Sequence, residues 1–391
     1  MKIQVVTPWY PDSYSPYSGV FVKKQVDALV SRGHQVSVEN PEIYPAPPGE
    51  VPAEVWKAMR ELASTDTTAL FAEYGESTRV PAPVPSGSGM LGRAEAFRQA
   101  LELKRDFLPV DADITHAHLG IPTGLALLDL GDRPLVVTEH QSTLVRVFAQ
   151  TGGVTAYSRV VAEAAAFLCV SEHLKEEIVA AIGEEYADRI RVVPNVVDLE
   201  DIRFRVRSEG QVDRWIYVGT VFQHKGIDLL LRSFRLFRRS HPGATLTIVG
   251  QGPHTPWVER FIAANGLNQS VELVGSVPHG EVGKYLDAAD VMVHVSPAET
   301  FGIASLEAIG AGLPLVSLRN GGADSAWGEF EDEVGRLLPL DSAPGDVVAA
   351  VRGLYGPGSG LDLVRGRNEV EVRFSAASVA MVLESIYQEV A

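Results

Sequence analysis

The sequence predicts an α/β protein built from two doubly wound, parallel-sheet domains, and two observations predict this class. Short apolar, β-branched segments alternate with helix-like segments from Lys2 to about residue 194, and a second alternation of the same kind begins at Arg214. Strands separated by helices form βαβ units and a mostly parallel sheet. The stretch PNVVDLEDIRF joins the two alternations. We therefore expect one domain over residues 1–197 and another over 198–374.

The first alternation contains six predicted strands and an interruption. The segment VFVKKQVDALVSRGHQVSVE predicts a helix, a glycine stop and a strand, because Val22, Val26 and Leu29 recur at helical spacing. Residues 40–92 are rich in Pro, Gly and Ser, and we expect an elaborated surface connection there with one helix near AEVWKAMRELA. The other predicted strands are KIQVVTP, ADITHAH, PLVVTEH, AAFLCVSE and IRVVPN.

The second alternation contains five further predicted strands, and the tail RFSAASVAMVLESIYQEVA predicts a closing helix. Ligands of such sheets bind beyond the carboxyl ends of the strands. The predicted strands are RWIYVGT, ATLTIVGQG, SVELVGSV, DVMVHVSP and LPLVSL. The unusual residues at strand ends in the two domains are Gly19, His118, His140, Gly219, Gly250, Gly275 and Glu299.

Composition excludes several classes of protein. A net charge of −16 argues against a general nucleic-acid or anionic-membrane surface. The single cysteine, Cys169, lies in the apolar run AAFLCVSE and is predicted to be a buried small hydrophobe rather than a nucleophile. The start MKIQVVTPWYP is too short for a signal-peptide core, and no run approaches the ~18 apolar residues of a membrane span. We expect a cytoplasmic protein without nucleic-acid or membrane partners.

Three motifs leave more than one interpretation open. GQGPHT carries Thr255 where a dinucleotide fingerprint needs glycine, so it predicts either close ligand approach or a tight turn. In THAH, His116 and His118 share one strand face but have no third ligand at a suitable spacing, so we expect no metal site. His118 and His140 are then either structural or substrate-contacting. Lys225, beside Gly226, is either a diphosphate partner or a surface lysine.

The stretch SPAETFGIASLEAIGAGLP, residues 296–314, places two acids around a predicted helix start. TFGI predicts a loop feeding a helix that begins near Ala304, so Glu299 would precede the helix and Glu307 would lie in its first turn. Exposed N–H groups at a helix N-terminus favour an anionic group such as a phosphate.

Together these residues resemble a retaining glycosyltransferase of family 4, which implies the GT-B fold with two domains facing each other across a cleft. The most specific part is SPAETFGIASLEAIGAGLP, which is similar to the family's Glu-(seven residues)-Glu motif. The resemblance also implies that a helix over 375–391 crosses back to the first, acceptor-binding domain. Supporting segments, in the family's order, are PYSGVFVKKQVDAL, DITHAH, RVVPNVVD, VGTVFQHKGID, IVGQGP and VELVGSVPHGEV.

The resemblance assigns a role to individual residues. It implies that Glu307 binds the ribose hydroxyls, Glu299 binds the donor-sugar hydroxyls, and Lys225 neutralises the diphosphate. The loop at Gly19 would close over the donor, and the base would lie near Val277. His118 would contact the donor sugar beside the reacting carbon. The implied donor-binding residues are Gly19, Thr220, Lys225, Gly250, Val277, Glu299, Phe301, Gly302, Ile303 and Glu307. The implied catalytic residues are His118, Glu299 and Lys225, and the acceptor-binding ones are Tyr17 and His140.

The sequence departs from the family pattern at three positions. Thr220 stands where an arginine is common, so a bidentate phosphate clamp is missing. Val196 replaces a glycine of PNGVD, and Ser325 stands where an acid is frequent.

The expected reaction is transfer of a sugar from a nucleoside diphosphate to the hydroxyl of a small molecule or glycan, with retention of configuration and without a metal or other cofactor. The partners are then the sugar nucleotide and the hydroxylated acceptor. Two alternatives stay open, namely a sugar-nucleotide 2-epimerase and a non-catalytic sugar-nucleotide-binding protein. Incubating the donor without acceptor distinguishes the epimerase from the transferase, since an epimerase would produce a new sugar nucleotide.

Overall fold

The computed structural model describes residues 1–13, 15–49, 51–131, 133–207, 210–356 and 360–391. The chain forms two compact units, unit 1 (Met1–Pro194 with Val379–Ala391) and unit 2 (Asn195–Ser378). We expect the first domain to end at residue 197, and the first stretch of unit 1 ends at Pro194. We expect the returning helix to begin at residue 375, and the second stretch of unit 1 begins at Val379.

Unit 1 is an eight-stranded sheet in the order β3-β4-β2-β1-β5-β6-β7-β8, parallel except for the short β3–β4 pair. Its strands are β1 (Lys2–Val6), β2 (Gln35–Ala46), β3 (Glu73–Tyr74), β4 (Ser77–Pro85), β5 (Ile114–His118), β6 (Leu135–Glu139), β7 (Ala166–Cys169) and β8 (Ile190–Val192). Its helices are α1 (Val20–Ser31), α2 (Ala53–Thr65), α3 (Thr67–Leu70), α4 (Met90–Phe107), α5 (Leu125–Leu128), α6 (Val145–Phe148), α7 (Gly153–Glu163) and α8 (Glu172–Ile182).

The segment 40–92 contributes the end of β2 and the strands β3 and β4 to the sheet, which corrects the prediction of a surface connection. Strand β4 pairs with β2 over its whole length, and its Val80, Ala82 and Val84 side chains are buried. The prolines of β4 at 81, 83 and 85 obscured this strand, because proline cannot donate a ladder hydrogen bond. They are tolerated because β3 pairs only with Ser77 and Thr78, so the described residues place no strand along the rest of that side of β4.

Unit 2 is a six-stranded, all-parallel sheet in the order β11-β10-β9-β12-β13-β14. Its strands are β9 (Arg214–Val218), β10 (Thr245–Val249), β11 (Val271–Gly275), β12 (Val291–His294), β13 (Leu315–Leu318) and β14 (Gly335–Leu338). Its helices are α9 (Ile227–Phe237), α10 (Thr255–Ala264), α11 (Val282–Ala288), α12 (Ile303–Gly310), α13 (Gly322–Trp327), α14 (Glu331–Val334), α15 (Pro344–Gly353) and α16 (Leu363–Phe374), and α17 (Ala376–Val390) follows as the last helix of the chain.

Helix α17 packs on unit 1 through the residues from Val379 onward. The Tyr387 hydroxyl lies 2.7 Å from His116 Nδ1, and Glu384 accepts a bidentate hydrogen bond from Arg32. Val379, Leu383 and Ile386 are buried as their apolar spacing suggests, whereas Val382 is 45% exposed and does not belong to the packed face. The helix therefore completes the core of unit 1.

Each sheet has one point where the strand order reverses direction. In unit 1 it lies between β1 and β5, and in unit 2 between β9 and β12. Helices leave toward opposite faces of the sheet at such a point, which opens a crevice beyond the carboxyl ends of the two strands. Across the part of the chain that the structure describes, no helix is both long and apolar enough to cross a membrane.

Candidate active site

Beside the reversal point of unit 2, the ends of three neighbouring strands are in close backbone contact. Gly219 follows β9, Gly250 follows β10 and Gly275 ends β11. The Gly250 N–H donates to the Gly275 carbonyl at 2.8 Å, and a β-carbon on Gly250 would lie 1.9 Å from the Gly219 carbonyl oxygen. Because any side chain at 250 would collide with this backbone, glycine is required there. The predicted strand ends therefore meet at one edge of the sheet.

Lys225 and Glu299 form an ion pair at the same edge. Lys225 Nζ lies 2.9 Å from Glu299 Oε1, and both side chains are about 15% exposed. A β-carbon on Gly226 would lie 1.8 Å from the Val295 carbonyl oxygen, so the turn bearing Lys225 packs directly on the segment that leads to Glu299. Lys225 is thus a fixed cation and not a surface lysine.

His294, at the end of β12, lies under this pair. Its Nε2 is 3.8 Å from Glu299 Oε1, and its ring stacks on Tyr217 with centroids 5.4 Å apart. Burial lowers the pKa of His294. Burial by itself raises the pKa of Glu299. The pKa is nevertheless below its ordinary value, because the carboxylate is stabilised by His294, Lys225 and the Ser296 hydroxyl. The Glu299 carboxylate is therefore ionised near neutral pH.

Helix α12 begins where the sequence predicted. Gly302, at φ 86°, precedes it without a side-chain cap, and Ile303 is its first residue. Phe301 is buried edge-to-face against Phe374. The expected place of Glu307 in the first turn is wrong, because the helix starts at Ile303, one residue before Ala304, and Glu307 is its fifth residue. Its buried carboxylate lies 3.6 Å from His279 Nε2.

Two predicted donor-binding residues occupy less constrained positions. Thr220 is exposed, and its carbonyl accepts a hydrogen bond from the Tyr217 hydroxyl at 3.0 Å. Val277 is half-buried on the turn after β11. The Thr220 side chain therefore adds no positive charge where the family arginine would stand.

The reversal point of unit 1 holds a stack of three histidines. His118 Nδ1 lies 2.9 Å from His140 Nε2, and the His118 ring stacks on both His116 and His140. His116 is held by the Tyr387 hydroxyl and by Thr138 Oγ1, each at 2.7 Å. Burial lowers the pKa of His116 to about 3 and that of His118 well below its ordinary value. Both imidazoles are therefore neutral.

Glu139 fixes the loops around His118, a role that the sequence did not suggest. Its fully buried carboxylate accepts hydrogen bonds from the Gly120, His140 and Gln141 N–H groups and from the Tyr157 hydroxyl, all at 2.8–2.9 Å. Burial raises the pKa of Glu139, against the opposing effect of these four donors. The residue that follows His118, Leu119, has φ 80° and is buried.

The loop before α1 is positioned by backbone contact. A β-carbon on Gly19, which has φ 64°, would lie 2.0 Å from the Trp9 carbonyl oxygen. From α1, Phe21 packs against the His140 ring at 4.6 Å, whereas Tyr17 is 46% exposed. The structure thus brings Phe21, and not Tyr17, to the histidine stack.

The predicted residues divide between the two units. Lys225, Gly250, Glu299 and the start of α12 meet in unit 2, whereas Gly19, His118 and His140 belong to unit 1. Two polar residues were missed, His294 and Glu139, although each is the last residue of a buried and largely apolar strand. Among the described residues, no group of three or more His, Cys, Asp or Glu is placed to hold a metal ion.

Two known protein families match the sequence of this chain. Residues 198–352 match the family model "Glycosyl transferases group 1", and residues 18–201 match "Glycosyltransferase Family 4". The chain belongs to the family 4 glycosyltransferases.

Individual proteins are similar to this glycosyltransferase over most or all of its length. It is 29% identical to the glycogen synthase of Mycobacterium tuberculosis over 342 residues, which is 83% of this chain and 80% of that protein. The sucrose-phosphate synthase of Thermosynechococcus elongatus superposes with a TM-score of 0.74 at 17% identity, covering 100% of this chain and 99% of that one. HepE of Anabaena in complex with UDP superposes with a TM-score of 0.68 at 15% identity, covering 100% of both chains. The fold of this glycosyltransferase is GT-B.

Proposed function

We propose that this glycosyltransferase moves a sugar from a nucleoside diphosphate to an acceptor hydroxyl with retention of configuration. The Lys225–Glu299 ion pair at the β9–β12 reversal point is the observation that carries the proposal. It supplies one cation for a diphosphate and one carboxylate for sugar hydroxyls at the place where such sheets bind ligands.

Charge development in the reaction explains why this pair is useful. Cleavage of the bond between the sugar and the diphosphate leaves positive charge on the sugar and negative charge on the leaving group. Lys225 would stabilise the leaving diphosphate as its charge grows, aided by the N–H groups that begin α12. Glu307, a turn into α12, would accept hydrogen bonds from the ribose.

Retention is proposed to proceed by front-face attack. Glu299 is engaged with Lys225 and is proposed to bind sugar hydroxyls, so it is not assigned as a covalent nucleophile. In the proposed step the acceptor oxygen forms a bond to the anomeric carbon as the bond to the diphosphate breaks. The acceptor proton moves to the departing phosphate, which leaves His118 to position the sugar rather than to act as the base.

A donor screen tests the proposal in two stages. UDP-, GDP-, ADP- and TDP-sugars are compared by thermal shift, because a ligand that binds only the folded state raises the melting temperature by mass action. The glucose nucleotide of the stabilising base is then incubated with a panel of sugar acceptors. We expect a product whose anomeric coupling, measured by NMR, matches that of the donor.

The same reactions decide against the alternatives. A new sugar nucleotide formed without acceptor would identify an epimerase, and tight nucleotide binding with no product from any acceptor would favour a non-catalytic binding protein. An inverted anomeric centre would refute retention while leaving the transferase assignment intact.

A further inference from the structure

A cavity of about 530 Å³ lies in unit 1 beside the histidine stack. It is lined by residues from the loop after β1, the end of β2, β4, the start of α4 and the segment 141–150. Leu119 and Gln141, which directly follow His118 and His140, form part of its wall. Its size suits a hydroxylated molecule of monosaccharide to disaccharide dimensions.

On one side of the cavity two carboxylates share a single arginine. Arg79 forms ion pairs with Asp12 and Glu42, and its guanidinium lies 3.7 Å from the Tyr74 ring centroid. Asp12 and Glu42 are the acids of the lining, and both face this one arginine. This side therefore offers carboxylate oxygens that can accept hydrogen bonds from the hydroxyls of a ligand.

The other side carries two arginines without a carboxylate. Arg93, on α4, and Arg146, on α6, both line the cavity, and within the described ranges neither has an acidic group at ion-pair distance. The hydrogen bond that Arg93 makes is a weak one to Met90 Sδ at 3.9 Å. Arg98, further along α4, instead binds Glu95 and Glu102. Of Arg93 and Arg98 on α4, the one without a carboxylate is thus the one that lines the cavity.

The two arginine-bearing segments are held together. The Gln150 side chain packs against Gly89, where a β-carbon would lie 2.3 Å from its Oε1, and its Nε2 donates to the Arg146 carbonyl at 2.9 Å. Helix α4 begins at the same wall without a side-chain cap, so its dipole adds to the positive potential there. In a chain of net charge −16, this local excess of positive charge is a specific feature.

We propose that this cavity binds the acceptor and selects one that carries an anionic group, a phosphate monoester or a carboxylate, together with free hydroxyls. The anion pairs with Arg93 and Arg146, and hydroxyls face Asp12 and Glu42. This inference rests on the proposed function, because it assigns the cavity to the acceptor of the transfer reaction.

Calorimetry on the full chain tests the proposal with three matched probes. Glucose, glucose 6-phosphate and glucuronate share a ring but differ in carrying no charge, a phosphate or a carboxylate. We expect at least one anion to bind at least tenfold more tightly than glucose, and to weaken as salt is added. Arg93→Gln and Arg146→Gln should each lower its affinity on the order of tenfold, since each removes a charge-assisted hydrogen bond. Arg98→Gln is the control and should bind as the wild type does.

Three results would overturn the inference, namely equal binding of all three probes, no binding of either anion at millimolar concentration, or an equal loss in Arg98→Gln. UDP is titrated separately, which keeps the two proposals distinct. If UDP binds and the anions do not, the anionic acceptor is wrong and the transferase stands. If the anions bind through Arg93 and Arg146 but neither UDP nor another nucleotide does, the donor assignment is wrong.

Discussion

At the scale of single residues, substitution of Lys225 is the most direct test of the proposed diphosphate site. Lys225→Met removes the cation that faces Glu299 and, by proposal, the diphosphate. We expect affinity for UDP or the preferred nucleoside diphosphate to fall on the order of tenfold or more in calorimetry.

The control for Lys225→Met is Lys284→Met on α11, which removes an exposed lysine paired with Glu281. Melting temperatures are measured first, because removing one partner of a largely buried pair leaves the other uncompensated. Unchanged nucleotide affinity in a folded Lys225→Met protein would contradict the diphosphate assignment.

His118 and His116 make a second residue-scale test, because they stack on each other but differ in their partners. His118 Nε2 is buried and has no hydrogen-bond partner in the described part of the chain, whereas both ring nitrogens of His116 are bonded. His118→Ala should lower kcat on the order of 10²-fold while nucleotide affinity changes little.

His116→Ala should act mainly on stability. It leaves the Tyr387 and Thr138 hydroxyls without their partner, which costs about 2–4 kcal/mol of unfolding free energy. Kinetics and urea unfolding of both variants provide the check. If His116 proved necessary for turnover and His118 dispensable, the assignment of the two histidines would be reversed.

The sequence predicted these histidines but not what surrounds them. The positions of Glu299, Lys225 and His118 follow from local signals, namely a glycine turn, a helix start and a strand end. His294 and Glu139 are also at strand ends, but their importance depends on contacts with residues distant in sequence, such as Lys225 through Glu299, or Tyr157. Periodicity describes one segment at a time and cannot show which segments meet.

At the scale of elements, helix α17 offers a matched pair of substitutions on neighbouring residues. Leu383 is fully buried in unit 1, and Val382 is 45% exposed. Leu383→Ala should lower the unfolding free energy by about 2–5 kcal/mol, because a buried side chain is lost and a cavity remains.

Val382→Ala is the control and should change stability by less than about 0.5 kcal/mol. Urea denaturation followed by circular dichroism measures both. Equal effects of the two substitutions would mean that the helix does not pack on unit 1 through the Leu383 face.

Elements also show where pattern reading fails. The start of α12 was predicted to within a residue because a glycine with positive φ marks it. Strand β4 was missed because three alternating prolines suggest a loop. Its position beside an uncovered edge, which makes those prolines acceptable, is a property of the sheet and not of the segment.

At the scale of the whole molecule, buried neutral histidines link stability to pH. The pKa of His116 falls from 6.5 to about 3 on folding. Between these values the unfolded chain binds a proton that the native state does not, so stability is complete above pH 6.5 and declines as pH falls toward 3. His118 acts in the same direction.

We expect the unfolding free energy to fall by up to about 1.4 kcal/mol per pH unit for each such histidine. Urea unfolding at pH 7.5, 6 and 5 measures the slope, and His116→Gln should reduce it. A slope that is the same in the variant would show that His116 does not bear the linkage.

Metal dependence is a further property of the molecule as a whole. Lys225 is proposed to supply the positive charge that a divalent ion would otherwise bring to the diphosphate. Transfer should therefore continue at an undiminished rate in excess EDTA, measured as product formed from donor and acceptor. Complete loss that manganese or magnesium restores would show that Lys225 is not sufficient.

Strand alternation predicted two parallel sheets, yet it did not predict the order of strands within them. That order places β12 beside β9 and so brings His294 and Glu299 to Lys225. The order depends on how helices cross over the sheet and on which faces they bury. Both depend on contacts between segments distant in sequence, which cannot be predicted from one segment at a time.

Because Val379–Ala391 belong to unit 1, they affect the order in which the two units can fold during synthesis. At a synthesis rate of roughly 5–20 residues per second, the last segment of unit 1 leaves the ribosome roughly 10–40 s after Pro194. Throughout that interval His116 lacks the Tyr387 hydroxyl, and the apolar groove for Leu383 and Ile386 stays open. The nascent first unit therefore leaves this apolar groove uncovered until residues 379–391 emerge, whereas unit 2 is continuous in sequence and can fold as soon as it emerges.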